Sequence, residues 1–196
     1  MTPRVLVAGV GNVFLGDDGF GVEVARRLDR ERFPDGVQVA DFGIRGVHLA
    51  YELLEGYDLL ILIDAAPRGE APGTVFVLEP DFGSSGGVAR GESGFLLDAH
   101  SLDPEVVLGI LADLGGRVGR VVIVGCEPAE VIERMGLSEP VARAVDEAAR
   151  VVRELIARAG DGTSNAAPED AAMRREAAPC FDSSPPSSSS GSRMSS

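Results

Sequence analysis

Residues 5–22 decide the fold, and they read Val-Leu-Val-Ala-Gly-Val-Gly-Asn-Val-Phe-Leu-Gly-Asp-Asp-Gly-Phe-Gly-Val. The first four residues are apolar and predict a buried strand, and Gly9 and Gly11 then predict a turn. Two acids, Asp17 and Asp18, follow where a helix should begin. Open α/β sheets bind their ligands at the carboxyl ends of the strands, so these acids are candidates for a functional site.

Two glycine-rich nucleotide motifs are excluded in this stretch. A dinucleotide fingerprint that begins at Gly9 would need glycine where Phe14 stands. A phosphate loop that begins at Gly11 would need lysine after Gly16, but two acids follow and the chain contains no lysine. A simpler role for either acid is to cap the following helix, which stabilises a helix by ~1 kcal/mol.

The length and composition fit one globular domain with a tail. The 196 residues, 44% of them hydrophobic, are enough to bury one core. We predict a single domain over residues 1–159 and a disordered tail over residues 160–196, which are rich in Ser, Pro and Ala. Only Cys126 and Cys180 are present, so we expect no disulfide framework.

The charge and hydropathy of the chain exclude several kinds of partner. A net charge of −13 argues against nucleic acid and against anionic membranes, because both need a basic face. No apolar run approaches the ~18 residues of a membrane span. Met1 to Arg4 lead directly into the first strand rather than into a signal peptide. We therefore expect a cytoplasmic protein, and we expect it to be a monomer.

The apolar pattern predicts five strands and four helices. Strands are expected at residues 5–8, 37–40, 58–64, 74–78 and 120–124, and helices after Asp18, over 46–55, from 104 to 114 and from about 138 to 159. The link between strands three and four is too short and too rich in Pro and Gly for a crossover helix, so strand four should run antiparallel. We predict an α/β fold: a doubly wound, mostly parallel five-stranded sheet with helices on both faces, as in the three-layer sandwiches of the phosphorylase/hydrolase-like class.

Acids recur where the predicted strands end. Asp18 follows strand one, Asp41 ends strand two and Asp64 ends strand three. If strand one lies between strands two and three, the strand order reverses there, and Asp18 and Asp64 face one crevice. His100 should enter at the same edge, just before helix three, and Asp41 should stand close by.

Several candidate residues also have simpler explanations. Asp64 could begin a turn, and His100 could hydrogen-bond the backbone at a helix entry. His48 lies on the polar side of helix two, so we expect a surface residue. Cys126 could be a soft metal ligand, but a small buried thiol is the better interpretation.

Two carboxylates and one imidazole, from Asp18, Asp64 and His100, suit a divalent first-row metal such as nickel, zinc or iron. Without a metal the carboxylates would repel one another, and one would hold a proton. The same acids could instead act as a general acid–base pair on a peptide carbonyl. The residues alone leave both uses open.

The motifs, taken in order, resemble those of the hydrogenase maturation endopeptidases, peptidase family A31, which trim the C-terminal extension from the large subunit of nickel–iron hydrogenases. The motifs that carry the resemblance are Gly9 to Gly21, Asp41 to Gly46, Ile63 to Ala65, the segment around His100, and Gly136 to Ser138. Their spacing is similar to that of the family over residues 5–157. Phe42 and Ile44 depart from the pattern, because family members often have Gly and Thr there.

The resemblance also implies an activity, a site and a substrate. It implies an aspartyl protease whose catalytic and metal-binding residues are Asp18, Asp64 and His100, with Asp41 as a further acid near that site. It implies that nickel is supplied by the substrate, a large-subunit precursor, and is not held permanently by the protease. The competing interpretation is a non-catalytic acidic α/β module that binds a maturation partner or a small ligand.

Overall fold

The computed structural model describes residues 2–80 and 104–160. The strands are β1 (Val5–Val10), β2 (Val37–Gly43), β3 (Tyr57–Ala65), β4 (Val75–Leu78) and β5 (Val118–Cys126). A 3-10 turn (Gly16–Gly19) precedes the helices α1 (Phe20–Leu28), α2 (Gly46–Leu53), α3 (Pro104–Asp113) and α4 (Glu139–Gly160). The predicted tail beyond residue 160 and the segment that contains His100 lie outside the described residues. No helix in the described ranges is long and apolar enough to cross a membrane.

The strand pairing confirms the predicted fold class. The sheet has five strands in the order β2-β1-β3-β5-β4. β1 pairs in parallel with β2 and with β3, and β3 pairs in parallel with β5. β4 pairs antiparallel with β5, as the short link before it predicts. The strand order therefore reverses at β1, which is the place where open α/β sheets form a ligand crevice.

Different helices cover the two faces of the sheet. On one face, α1 and α4 pack against residues such as Ile61 and Ile63 of β3. On the other face, α2 and α3 pack against Leu60 and Leu62 of the same strand. This alternation follows from the two-residue period of a strand, and it makes β3 apolar on both faces. A residue at the end of a strand can therefore be assigned to one of the two faces by its position in this alternation.

Some element boundaries differ from the prediction. β2 continues to Gly43 instead of ending at residue 40, so Asp41 lies inside the strand. β5 runs over Val118–Cys126, longer at both ends than residues 120–124. Helix α4 ends at Gly160, one residue beyond the predicted domain boundary. Backbone pairing extends these strands beyond their apolar runs: Gly125, for example, is still registered with Asp64.

Gly21 sets the distance between α1 and the sheet. A Cβ at Gly21 would lie 2.0 Å from the carbonyl oxygen of Ile63 and 2.4 Å from that of Val10. Gly21→Ala should therefore lower the free energy of unfolding by ~1–3 kcal/mol, as overpacking does, measured by denaturant titration. Gly109→Ala in α3 is the control, because no atom lies within 4 Å of a Cβ there. That variant should be neutral or gain up to ~1 kcal/mol, and equal losses in both variants would contradict this explanation.

Candidate functional site

Asp64 is a buried carboxyl at the carboxyl end of β3. Only 2% of its surface is exposed. Its neighbours Ile63 and Ala65 belong to the core under α1 and α4, so the strand alternation places Asp64 on the face that α2 and α3 cover. Its Oδ1 accepts a hydrogen bond from the N–H of Ala65 at 2.8 Å. The side chain is thus held inside the protein rather than at a solvated turn.

Asp18 lies in the 3-10 turn between β1 and α1 and is also buried. Its Oδ2 accepts a hydrogen bond from the N–H of Asn12 at 2.6 Å. Gly11, with a φ of 117°, lets this turn fold back, because a Cβ there would lie only 1.8 Å from the Asp18 carbonyl oxygen. A glycine and one backbone amide therefore fix Asp18 at the end of β1.

The two carboxyl groups interact electrostatically. Burial raises the pKa of Asp64 well above its ordinary value, and the negative charge of Asp18 raises it further, while the Ala65 hydrogen bond opposes the shift. The structure thus brings Asp18 and Asp64 together and favours a proton on Asp64. Such a pair can transfer that proton to a substrate group, or release it to solvent when a divalent cation binds. Its catalytic role stays a prediction.

The place of His100 also stays a prediction, because residues 81–103 lie outside the described ranges. The helix that follows it, α3, begins at Pro104, and its Val107 packs into the core on the same face as Asp64. Over residues 2–80 and 104–160, no three His, Cys, Asp or Glu side chains are grouped as a metal site requires. The described residues therefore bring together two of the three predicted ligands.

Asp41 lies at the same edge of the sheet but on the other face. It is registered with Gly9, and Gly9 is registered with Ile63, so these three residues face α1. The Asp41 Oδ2 forms an ion pair with Arg26 of α1 at 3.3 Å. The register thus places Asp41 and Asp64 on opposite faces of the sheet, and a role for Asp41 near the acid pair stays a prediction.

Asp17 differs from its neighbour Asp18, because it holds two loops together. It is fully buried. It accepts four hydrogen bonds, from the N–H groups of Ala129 (2.8 Å), Glu130 (3.2 Å) and Ser138 (2.6 Å) and from the Ser138 hydroxyl (2.8 Å). Burial raises the pKa of Asp17, but these hydrogen bonds outweigh burial and hold the pKa below its ordinary value. The carboxylate form is therefore the stable one.

The capping role considered for these acids is not observed in α1. The N-cap of α1 is Gly19, and no side chain caps it. Asp17 instead contacts residues 112 to 121 positions further along the chain. The Gly136-Leu137-Ser138 motif marks one end of this contact, but nothing in the local sequence indicates that Asp17 is its partner.

Glu127 is a buried acid that sequence reasoning missed. It follows β5 and is 6% exposed. Its carboxylate accepts hydrogen bonds from the N–H groups of Arg68 (2.6 Å) and Gly69 (3.3 Å). It thereby holds the loop that follows Asp64. The signal that could have found it is an acid at the end of an apolar strand, the pattern that also marks Asp64.

Two further candidates have structural explanations. His48 is exposed on α2, as expected for a surface residue. Cys126 is a free, buried thiol in the core under α1 and α4. Burial, helped by nearby acids such as Asp17, raises its pKa to about 12, which disfavours the thiolate that a metal would need. The interpretation of Cys126 as a small buried thiol is confirmed.

Comparison with known proteins now identifies the family. The family model described as HycI, hydrogenase maturation protease, matches residues 22–155. The chain belongs to the hydrogenase maturation protease family. This protease is 34% identical over 160 residues to the hydrogenase expression/formation protein HoxM of Azotobacter vinelandii. The alignment covers 81% of this chain and 74% of the relative. It is 33% identical over 157 residues to HupD of Rhodobacter capsulatus, covering 79% of this chain and 72% of the relative.

Solved structures agree with this assignment. The hydrogenase maturating endopeptidase HybD from E. coli superposes with a TM-score of 0.64 at 26% identity, over 80% of this chain and 94% of that one. The hydrogenase 2 maturation peptidase from Thaumarchaeota archaeon SCGC_AB-539-E09 superposes with a TM-score of 0.60 at 30% identity. This superposition covers 79% of this chain and 98% of that one. The protein is therefore a hydrolase with the endopeptidase fold of its family, and the enzymatic interpretation replaces the non-catalytic module.

Proposed function

We propose that this protease removes the C-terminal extension of a nickel–iron hydrogenase large-subunit precursor after nickel has been inserted. Membership of the maturation protease family supports the reaction. The names of the relatives, which refer to hydrogenase expression, formation and maturation, support the substrate. The observation that carries the proposal is the buried pair of Asp18 and Asp64, in which one acid raises the pKa of the other.

The pair is suited to inspecting a cation that arrives with the substrate. Two buried carboxylates cannot both be charged without cost, and a divalent cation that displaces the proton neutralises both. Oxygens from Asp18 and Asp64, with the imidazole of His100 as the proposed third ligand, suit nickel that has open coordination positions. Nickel is then part of the substrate, and the protease needs no resident metal.

Two mechanisms can use this pair. In the proposed one, Asp18 and Asp64 bind the precursor's nickel, and the ion positions or polarises the scissile peptide and the attacking water. In the alternative, Asp64 donates its proton to the leaving amide while Asp18 activates water, as paired carboxyls do in aspartic proteases. The raised pKa of Asp64 is compatible with both, so the dependence on nickel has to separate them.

Cleavage should depend on nickel in the precursor. We expect the purified protease to release a short C-terminal peptide from a nickel-loaded large-subunit precursor, seen as a loss of intact mass. The matched nickel-free precursor should keep its full mass. Equal cleavage of both samples would favour the carboxylate mechanism, because gating by nickel would then be absent. No cleavage of several loaded precursors would contradict the proposed function.

A further inference from the structure

An exposed apolar surface lies on two loops, one of which also carries Asp18. It consists of Phe14, Val131, Ile132 and Met135, and we call it the apolar lip. Phe14 is 63% exposed and Met135 is 73% exposed, and Val131 and Ile132 are also exposed. Phe14 belongs to the loop that leads from β1 to Asp18, and the other three belong to the loop between β5 and α4.

Hydrogen bonds join these two loops into one surface. The N–H of Arg134 donates to the carbonyl oxygen of Phe14 at 3.0 Å, and the N–H of Gly16 donates to that of Arg134 at 2.7 Å. Leu15 and Arg134 form a β-bridge between these bonds. Beneath them, the buried carboxylate of Asp17 binds the same segment. The lip is thus held in place by its backbone while its apolar side chains face outward.

Phe14 of the lip lies in the loop between β1 and the turn that carries Asp18, so a polypeptide bound at the acid pair can pass over it. Asp18 and Asp64 are buried, so only a small part of a substrate can reach them. The chain on either side of the cleaved bond must then run over the rim of the crevice. Phe14 is part of that rim, because it lies between Gly11, on which the Asp18 turn packs, and the turn itself.

The negative charges near the lip disfavour an acidic ligand. Residues 128–135 contain two acids, Glu130 and Glu133, and one base, Arg134. Glu130 and Arg134 form an ion pair with each other. The whole chain has a net charge of −13. An acidic segment would be repelled from this surface, and an apolar segment that is neutral or basic would fit it.

We propose that the apolar lip binds the stretch of the precursor chain next to the scissile bond, and that this stretch is apolar and carries no acidic residue. The inference rests on the proposed function, because the precursor is the occupant. Phe14 and Asp18 share one loop, and backbone hydrogen bonds join the rest of the lip to that loop, so one continuous polypeptide can reach both the lip and the acid pair. Contact with Phe14 and Met135 contributes binding that is equal in the ground state and the transition state, so its loss should appear in KM.

The test compares two double variants. Phe14→Ser/Met135→Ser removes the two most exposed side chains of the lip, and Tyr51→Ser/Leu114→Ser removes two exposed apolar side chains, one on α2 and one just after α3. With the nickel-loaded precursor, the lip variant should show a KM raised about 10- to 100-fold with little change in kcat. The control variant should change KM less than about threefold. If the lip double variant does not unfold cooperatively, Met135→Ser alone should still raise KM about fivefold.

The outcomes distinguish a failure of the proposed docking surface from a failure of the proposed function. If the unmodified protease cleaves and the lip variant has the same KM, the lip is not the docking surface, although the proposed function stands. If the unmodified protease cleaves no loaded precursor, both proposals fail. A precursor with Asp in place of an apolar residue beside the scissile bond gives a second readout. It should be a poorer substrate for the unmodified protease than for the lip variant, relative to the native precursor.

Discussion

Asp64→Asn should abolish trimming of the precursor and, at pH 7, raise the temperature of thermal unfolding. Asparagine can neither exchange a proton nor offer an anionic ligand to nickel, so kcat should fall by about 10²- to 10⁴-fold. The measurement is the rate of mass loss from the nickel-loaded precursor. Asp18→Asn should have the same effect on trimming, and full activity in both variants would show that the pair is not the catalytic site.

The gain in stability follows from the direction of the pKa shift. The folded protein holds the proton on Asp64 more tightly than the unfolded chain does, because burial and the charge of Asp18 raise the pKa of this carboxyl. The stabilisation is complete below the pKa of the unfolded chain, roughly 4, and is lost as the pH rises toward the folded pKa. Asparagine has no proton to lose, and its oxygen can still accept the Ala65 hydrogen bond.

Thermal unfolding as a function of pH measures this effect. The unmodified protein should lose stability relative to Asp64→Asn as the pH rises above about 4, the unfolded value, toward the raised folded pKa. A difference of ~1 kcal/mol would appear as a shift of about 2–4 °C in Tm. Asp146→Asn is the control, because the Asp146 side chain is 81% exposed on α4. That variant should leave trimming and Tm nearly unchanged, whereas a lower Tm for Asp64→Asn at pH 7 would mean that Asp64 stabilises the fold as a charged group.

The fold was predictable because its signals are local. A continuous apolar run such as β3 indicates a strand covered on both faces, and the short link after it indicates an antiparallel neighbour. The end of β2 was not predictable in this way. The pairing shifts register between Gly9 and Val10, and the N–H of Gly11 donates to the carbonyl oxygen of Gly43 at 3.1 Å. Backbone geometry, not hydropathy, carries this strand past Asp41.

The site was predictable to the extent that topology determines it. Asp18 and Asp64 meet because β1 and β3 are neighbours, and their order could be argued from the strand sequence. Asp41 shows the limit of that argument, because a shift of one residue along a strand moves a side chain to the other face. Asp17 shows a second limit. Its partners lie in a distant loop, and only the folded conformation of that loop presents their N–H groups.

Asp17→Ala should lower the free energy of unfolding by ~3–5 kcal/mol. The substitution removes a buried acceptor and leaves the N–H groups of Ala129, Glu130 and Ser138, and the Ser138 hydroxyl, without their partner. Each buried donor that loses its acceptor costs ~1–3 kcal/mol, and partial relaxation reduces the sum. Denaturant titration at pH 7 measures the loss. Ser138→Ala is the matched control, because it removes only the hydroxyl and should cost ~1 kcal/mol.

The pH dependence of this loss distinguishes the carboxylate from a merely well-packed side chain. The hydrogen bonds hold the pKa of Asp17 below its ordinary value of 3.8, so its stabilisation is present above that value and is lost as the pH falls through the folded pKa. The difference between the unmodified protein and Asp17→Ala should therefore narrow on acidification below about pH 4. A difference that stays constant down to pH 2 would contradict a role for the charged form.

Asp17→Asn links this stability to function. The variant keeps one acceptor oxygen but turns an amide donor toward the remaining N–H groups, so its stability should fall between those of Asp17→Ala and the unmodified protein. Because Asp17 supports both the turn that carries Asp18 and the apolar lip, the folded variant should show a lower kcat and a higher KM. A change in stability with neither kinetic constant altered would show that the acid pair keeps its geometry without this support.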